Sequence, residues 1–583
     1  MRLRLKLPLD AIGDLALVDA WLINRFGIDL EKQGVVDAAA REAAGGMARA
    51  AIDRALLIYG ELARAANLPC FDRGSLVSLE PVPEEAGKVV AVVALPVVDN
   101  VASKTLTDLF AVAVQTVGEC SRVSPEDDPG SPILTRLEKK IAELAKIYPF
   151  LDMTVPICRI AHDRGIPFRH LGSGYMRFGI GSEGDLVQYS SVQRDSAVGA
   201  NICMDKRITA LMLHAAGLPG AEHVAVTSRE SASAAASRLG WPVVVKPADR
   251  EESKGVTANI SDEAALLAAY DVARATSPNV LVERHVVGTC HRILVAADKV
   301  LYVVNRLPKR VKGNGRDSIA ALVDVANARG TNLPPWKPFK PHVLDALALE
   351  CLAVDGLTPD SVLAEGQFAY IRPLPSLEWG GDVEDLAKVI HPENAELAIA
   401  AARLFGLTMA GIDLITTDIA QPWHATGSII NEMNFRPRFS DEKRELDPSI
   451  LAAALVRGSG RVPVHLITGS GDLAAAASTL QRRLAESGQR CHSTSATSTC
   501  GPDGSEIHVA ASTLFERTLA LTMRTDVHGI IVAGSPAELF AKGLAVDRLD
   551  SLTVIDAESD RARRLMEQLQ ARFVAQSAAI SAR

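Results

Sequence analysis

The chain has 583 residues, a formal net charge of −8 and a pI of about 6.0. That length suits about three domains, and the charge gives no basic surplus of the kind a nucleic-acid binder carries. Hydrophobic residues at 48% and charged ones at 23% are ordinary for a globular protein, while only 4% aromatics favours α/β or helical packing over an aromatic-rich sandwich.

The N-terminus, "MRLRLKLPLDAIGDLALVDAWL", starts basic, but Asp10, Asp14 and Asp19 interrupt it and no small-residue cleavage site follows. It reads as neither a signal peptide nor a membrane span, so a cytoplasmic protein is expected. Residues 1–160 hold helical stretches, such as "VVDAAAREAAGGMARAAIDRALLIYGELARAA", and the strand-like "KVVAVVALPVV". "SPEDDPGSP" marks a loop, and one or two helices lead on from Pro132. This part shows no catalytic constellation, so a structural or substrate-holding role is its default.

From about 160 the texture changes. "RHLGSGYMRFGIGSEGDLVQYSSVQ" is turn-rich and strand-like. "DKRITALMLHAAGLPG" is a helix with Gly217 as its C′ residue. "SRESASAAASRLG" is another, with Ser at the N-cap. "WPVVVKPAD" is a buried strand ending in Lys246, and "NVLVERHVVG" and "HRILVAADKVLYVVNRLP" are further strands. "HPENAELAIAAARLFG" is a helix that starts after His-Pro and ends at Gly406. Strands and helices alternate to about 460. A last unit follows, in which "VPVHLITGSGDLAAAASTLQRRLAESG" reads as strand, glycine loop and helix, and "CHSTSATSTCGPDGSE" as a polar loop. The eight cysteines include no C-x-x-C pair, which indicates neither a zinc site nor a redox pair and suits free thiols in a reducing compartment.

Two stretches carry chemistry. In "GSIINEMNF", Glu432 and Asn434 stand two apart and share one face of a strand. Asp413, in "AGIDLI", lies on the preceding strand and could stand opposite them. Three hard oxygen donors on neighbouring strands suit Mg²⁺; a polar hairpin face in water is the plain alternative. In "VVVKPADREESKGVTANI", Lys246 ends an apolar strand and a loop leads to Lys254 and Gly255. A Lys at a strand end can hold a nucleotide phosphate as a point charge, though a surface Lys reads the same way.

The order "MDKR", "VVVKP", "VLVERHVVG", "GIDLI", "NEMN" resembles the ATP-grasp ligases. More closely, residues 170–465 resemble cyanophycin synthetases, on "RDSAVGANICMDKRITALML", "GWPVVVKPADREESKGVTANI", "VKGNGRDSIAALVDVAN" and "IINEMNFRP" among others. The resemblance implies a multidomain α/β and α+β chain. Residues 1–160 would be an α+β N-terminal domain and 161–460 an ATP-grasp domain. Residues 461–583 would be a small, truncated α/β domain left from a Mur ligase-like module.

Departures from the pattern bear on function. The Mur-type loop would carry a phosphate-binding Lys and a Mg²⁺-binding hydroxyl; here "LITGSGDLAAAAS" has Leu473 and Ala474 in those places. The domain therefore reads as a remnant that packs or dimerises, as in single-site, C-terminally shortened relatives that join β-aspartyl-arginine dipeptides. The phosphate-covering loop "ADREESKG" has one glycine and several acids, and Cys290 stands where the family has an acid near ribose. The substrate run is "SLEWGG", with Ser376, Glu378 and Trp379 in place of an amide and two small hydroxyls, which puts the substrate in question more than the reaction.

By the resemblance, ATP phosphorylates a carboxylate to an acyl phosphate and an amine then attacks it. Lys206 and Lys246 hold phosphates and Glu283 reads the adenine or ribose side. Arg372 neutralises charge as the phosphoryl group moves, and Asp413, Glu432 and Asn434 hold Mg²⁺. Arg292, Arg306 and Arg436 are weaker candidates for substrate carboxylates or the acyl phosphate. His170, His285 and His291 read as structural. The expected partners are amino-acid, dipeptide or polymer substrates and further copies of the chain, with no nucleic acid or membrane. A ligase forming one amide bond with a small acceptor, and a nucleotide-binding pseudoenzyme or scaffold subunit, are the competing readings.

Overall fold

The computed structural model describes residues 1–8, 12–33, 46–83, 85, 87–126, 132–147, 154–249, 255–331, 333–337, 339–373, 380–437 and 447–555. By its contacts the chain divides into two compact units, Met1–Pro156 with Asp195–Leu446, and Ile157–Arg194 with Asp447–Arg583.

The first unit begins with an antiparallel sheet of β1 (Arg2–Pro8), β2 (Ser75–Pro81) and β3 (Lys88–Ala94) in the order β1-β3-β2. The apolar "KVVAVVA" is its central strand, and alternation buries Val89, Ala91 and Val93. Helices α1 (Leu15–Asn24), α2 (Gly46–Ala65), α3 (Ser103–Cys120) and α4 (Pro132–Ile147) complete this α+β layer. Buried Arg54 on α2 forks onto Asp19 of α1 at 2.6 and 2.7 Å.

After α6 (Ala197–Cys203) and α7 (Lys206–Ala215) come two larger sheets. Strands β8 (His223–Val226), β9 (Val243–Pro247), β10 (Thr257–Ile260) and β11 (Val280–Arg284) pair in the order β10-β9-β11-β8. Helices α8 (Arg229–Leu239) and α9 (Glu263–Thr276) cover one face, burying Val243, Val245, Val280 and Val282. The second sheet has β12 (Thr289–Ala296), β13 (Lys299–Leu307), β16 (Asp382–Asp385), β17 (Met409–Thr416) and β18 (Ile429–Asn434), all antiparallel, in the order β16-β13-β12-β17-β18. Helix α12 (Pro392–Leu404) packs on one face over Ile293, Val295, Ile412, Leu414, Ile430 and Met433, and α13 (Trp423–Thr426) is the turn before β18. A small layer of β14 (Arg310–Lys312), β15 (Phe368–Tyr370), α10 (Ile319–Thr331) and α11 (Ala346–Val354) has its own core around Val311, Leu352 and Ile371.

The expected helix ends are present. Ser228 caps α8, Pro392 opens α12 after His391, and Gly217 and Gly406 take positive φ at +74° and +64° just past α7 and α12.

The second unit holds α5 (Val155–Asp163), a meander of β4 (Phe168–Gly172), β5 (Tyr175–Phe178), β6 (Asp185–Gln188) and β7 (Ser191–Val192), and α14 (Pro448–Leu455). Its other sheet is β19 (Val464–Gly469), β20 (His492–Thr494), β21 (Thr499–Cys500), β22 (Ile530–Ala533) and β23 (Ser551–Ile555), in the order β21-β20-β22-β19-β23. β19 runs parallel to β22 and β23, with α15 (Leu473–Glu486), α16 (Leu514–Met523) and α17 (Pro536–Lys542) between strands. The stretch expected to be a polar loop instead forms β20 and β21. Ser493, Thr494 and Thr499 are buried, because β22 supplies ladder partners and the Thr494 and Thr499 hydroxyls pair at 2.9 Å. Among the described residues no helix is long and apolar enough to cross a membrane, and all eight cysteines are free.

Candidate functional site

Strand alternation decides which side chains leave the first sheet's core. With Val243 and Val245 packed under the helices, Val244 and Lys246 take the other face; with Val280 and Val282 inside, so do Leu281 and Glu283. Leu281 pairs with Lys246 and Glu283 with Val244, so Lys246 and Glu283 are diagonal neighbours. Their Nζ and Oε2 are 2.6 Å apart, at 5% and 4% residue exposure. A charge pair this buried is costly to break from one side, about 3–5 kcal/mol. His223 on β8 stands opposite Glu283; burial lowers its pKa, and the Glu283 charge opposes that shift.

The second sheet presents a row across three strands. Arg292 on β12 pairs with Asp413 on β17, which pairs with Glu432 on β18. Arg292 forks onto Asp413, Nη2 reaching Oδ2 at 2.9 Å while Nε donates to Oδ1. Burial alone would lower the Arg292 pKa, but the charge and hydrogen bonds of Asp413 reverse this and hold it above its ordinary value. Gly411 makes room for that fork: a Cβ there would stand 3.1 Å from Arg292 Cδ and 3.2 Å from its Nη1. Asn434, opposite Gly411, brings Nδ2 to 3.5 Å from Asp413 Oδ2 and 3.4 Å from the Gly411 carbonyl.

Two lysines join the row. Lys206 opens α7 behind the Asp205 N-cap, and its Nζ lies 3.4 Å from Glu432 Oε1. Lys246 Nζ donates to Asn431 Oδ1 at 3.3 Å, so the two sheets meet here. Asn431 escapes a reading of the sequence, because a regular strand would turn it away from Glu432. A register shift between Asp413 and Leu414 makes it a bulge residue. Ile430, beside it, donates its N–H to the Pro219 carbonyl at 2.7 Å.

The remaining expected residues have other surroundings. Arg372 is buried and forks onto Asp345 at 3.1 and 3.0 Å, with Nη1 also donating to the Val343 and Ile371 carbonyls. Arg436 is exposed with its guanidinium 5.0 Å from the Phe435 ring centroid. Gly255 has φ +73°, and a Cβ there would meet Thr276 Oγ1 at 2.9 Å. Cys290 is exposed, and His291 is buried with Nδ1 donating to the Thr289 carbonyl at 3.0 Å. Lys254, Ser376, Glu378, Trp379 and the Arg306 side chain lie outside the described residues. In the second unit the loop from Gly469 to the Asp472 N-cap of α15 does join strand to helix. A Cβ on Gly469 would stand 1.8 Å from the Ile555 carbonyl oxygen, so β23 packs tightly against the loop's first residue.

The donor set can be tested for Mg²⁺. Asp413 and Glu432 are opposite in register and Asn434 follows on the same face, so every protein donor is a hard oxygen. A carboxylate bound by an Arg fork keeps further lone pairs. Among the described residues no group of three or more His, Cys, Asp or Glu could hold an ion alone. Two carboxylates in register suit Mg²⁺, which takes one or two carboxylates and completes its shell with water and phosphate. Arg292 and Lys206 balance the two carboxylates.

The D-ala D-ala ligase C-terminus family matches residues 212–309. The cyanophycin synthetase of Trichormus variabilis is 31% identical over 359 residues, covering 59% of this chain and 40% of that protein. The glutathione biosynthesis bifunctional protein GshAB of Mannheimia succiniciproducens is 29% identical over 294 residues, 48% of this chain and 39% of that one. The crystal structure of a bifunctional glutathione synthetase from Pasteurella multocida aligns at 24% identity and TM-score 0.41, over 58% of this chain and 49% of that one. Two adjoining sheets together with these sequence relatives resemble an ATP-grasp core within the first unit. Within that class the core is cyanophycin synthetase-like, although the chain spans only about 40% of the length of the cyanophycin synthetases it matches.

Proposed function

We propose that the protein is a cytoplasmic ATP-dependent carboxylate–amine ligase that works through an acyl phosphate and joins or polymerises cyanophycin-type units such as β-aspartyl-arginine. The observation that carries this reading is the Arg292–Asp413–Glu432 row, with Asn434 beside it and Lys206 and Lys246 reaching it from α7 and the facing sheet. Bound Mg²⁺ would neutralise phosphate charge, held by Asp413, Glu432 and Asn434. Lys246 spends two of its three donors on Glu283 and Asn431 and keeps one for a phosphate oxygen. Lys206, a half-open partner of Glu432, supplies a second cation, and Lys254 and Gly255 bind the nucleotide. Glu283 faces the base or ribose. Arg292, beside the metal ligands, and Arg436 take a substrate carboxylate or the acyl phosphate, and Arg372 offsets charge on the moving phosphoryl group. In this reading 1–160 is the N-terminal domain, 161–460 the ATP-grasp domain and 461–583 a Mur ligase-like remnant with no second active site, in a homo-oligomer.

A single-bond ligase is the second reading, favoured by the similarity to the glutathione biosynthesis proteins. One experiment separates them. The purified chain with Mg·ATP is given β-aspartyl-arginine, Asp, Glu, Arg and Lys, singly and in pairs, with phosphate release and product masses recorded. Turnover of the dipeptide alone into a ladder of masses is the expected result. Turnover confined to one acid–amine pair would replace it with a single-bond ligase, and silence accompanied by nucleotide binding would favour a pseudoenzyme.

A further inference from the structure

The three oxygen-bearing residues of the row are each held by a donor of the chain itself. Buried Asp413 accepts from Nε and Nη2 of Arg292, and Asn434 turns its Nδ2 towards Asp413 Oδ2 at 3.5 Å. That Nδ2 also stands 3.4 Å from the Gly411 carbonyl, so Asn434 presents its donor here, between two acceptors, and its oxygen is directed elsewhere. Glu432 faces Lys206 at 3.4 Å. Two carboxylates thus meet two cations, and the row has no net charge with which to attract a divalent ion. An ion brought to Asp413 would stand beside the Arg292 guanidinium, a like charge away from bulk water. It would also supply no acceptor for the donors it displaced. A polyphosphate changes both terms: its oxygens accept from Arg292 and Lys206, and its charge outweighs theirs.

We propose that Arg292 is a guard residue that keeps a divalent ion off Asp413, Glu432 and Asn434 until a polyphosphate is present to accept its guanidinium, so that ion and nucleotide are taken up together. The inference rests on the ATP-dependent reading above and adds how the ion is admitted. Arg292 has the larger part and Lys206 the smaller. The Arg292 fork is bidentate, with side chains 12% and 11% exposed, whereas the Lys206–Glu432 pair is single and more open.

The test uses Mn²⁺ as the probe, titrated into the full chain without nucleotide, with the free ion counted by its paramagnetic resonance signal. Wild type is expected to show no saturable binding up to about 1 mM. Arg292→Gln should bind Mn²⁺ roughly tenfold more tightly or better, and adding Asp413→Asn to it should abolish the gain. Arg403→Gln removes a cation from exposed Asp298 and should change the affinity by less than about twofold. Lys206→Gln should tighten Mn²⁺ more modestly and stands in if Arg292→Gln does not fold, as judged by thermal unfolding. Tight Mn²⁺ binding by wild type, no gain in the folded variant, or an equal gain in Arg403→Gln would overturn the inference. Calorimetry of Mn·ATP on the same wild-type protein separates this from the ligase reading. Binding of Mn·ATP keeps that reading whichever way the ion titration falls, and its absence removes the reading and this inference together.

Discussion

Glu432 ties the row to α7, since its carboxylate lies opposite Asp413 and 3.4 Å from Lys206. Replacing Glu432 with Gln keeps size and shape but removes the negative charge that Glu432 would bring to the proposed Mg²⁺. ATP turnover should fall roughly a hundredfold or more, as when one transition-state electrostatic contact is lost. Stability should change by less than about 1 kcal/mol, because the pair with Lys206 is partly open to solvent. Phosphate release and thermal unfolding of Glu432→Gln would measure both, and an active variant would reject Glu432 as a metal ligand. The pairing of Glu432 with Asn434 on one face is legible in "NEMN" because strand alternation is local. The Arg292–Asp413 fork is not, because its partners are 121 positions apart and only the β12–β17 register brings them together. Asn431 is less legible still: a bulge reverses the face that simple alternation assigns it.

At the scale of elements, α6 and α7 carry Lys206, and their placement depends on Gly199. A Cβ there would stand 1.7 Å from the Phe405 carbonyl oxygen at the end of α12, so the helices touch backbone to backbone. Gly199→Ala must push α6 off α12, at about 1–3 kcal/mol for an overpacked contact. Since Lys206 follows α6 by a few residues, nucleotide affinity should fall with stability. Urea unfolding and a nucleotide titration of the same variant would show this, and a stable variant with normal affinity would contradict it. Helix ends such as Ser228, Pro392 and Gly406 could be read from sequence, since capping is local. The strands β20 and β21 could not: their hydroxyl-rich sequence looks like loop, and only the neighbouring β22 makes a ladder of it.

For the whole molecule, four imidazoles give acid sensitivity above the carboxylate range. Burial lowers the pKa of His223, His291, His465 and His492 below the ordinary 6.5. The unfolded chain then binds more protons than the folded one as pH drops below about 6.5, so stability rises with pH through that window. Their contribution is complete above about 6.5 and is lost as pH falls through the lower folded values. The urea midpoint should therefore decline between pH 7.5 and 5.5, before any of the lowered carboxylates titrates. A flat midpoint over that range would show that these imidazoles stay neutral in both states or protonate without cost.

The sequence by itself determined the α/β alternation, the strand-end Lys246, the shared polar face of Glu432 and Asn434, and the strand–glycine loop–helix order around Gly469. These are local facts of spacing, face and residue chemistry. Tertiary structure alone decided that Arg292 neutralises Asp413, that Asn431 reaches Lys246 across two sheets, and that Arg372 is held by Asp345. Each depends on register, bulge or packing between segments far apart in the chain, where no local pattern specifies which polar group meets which.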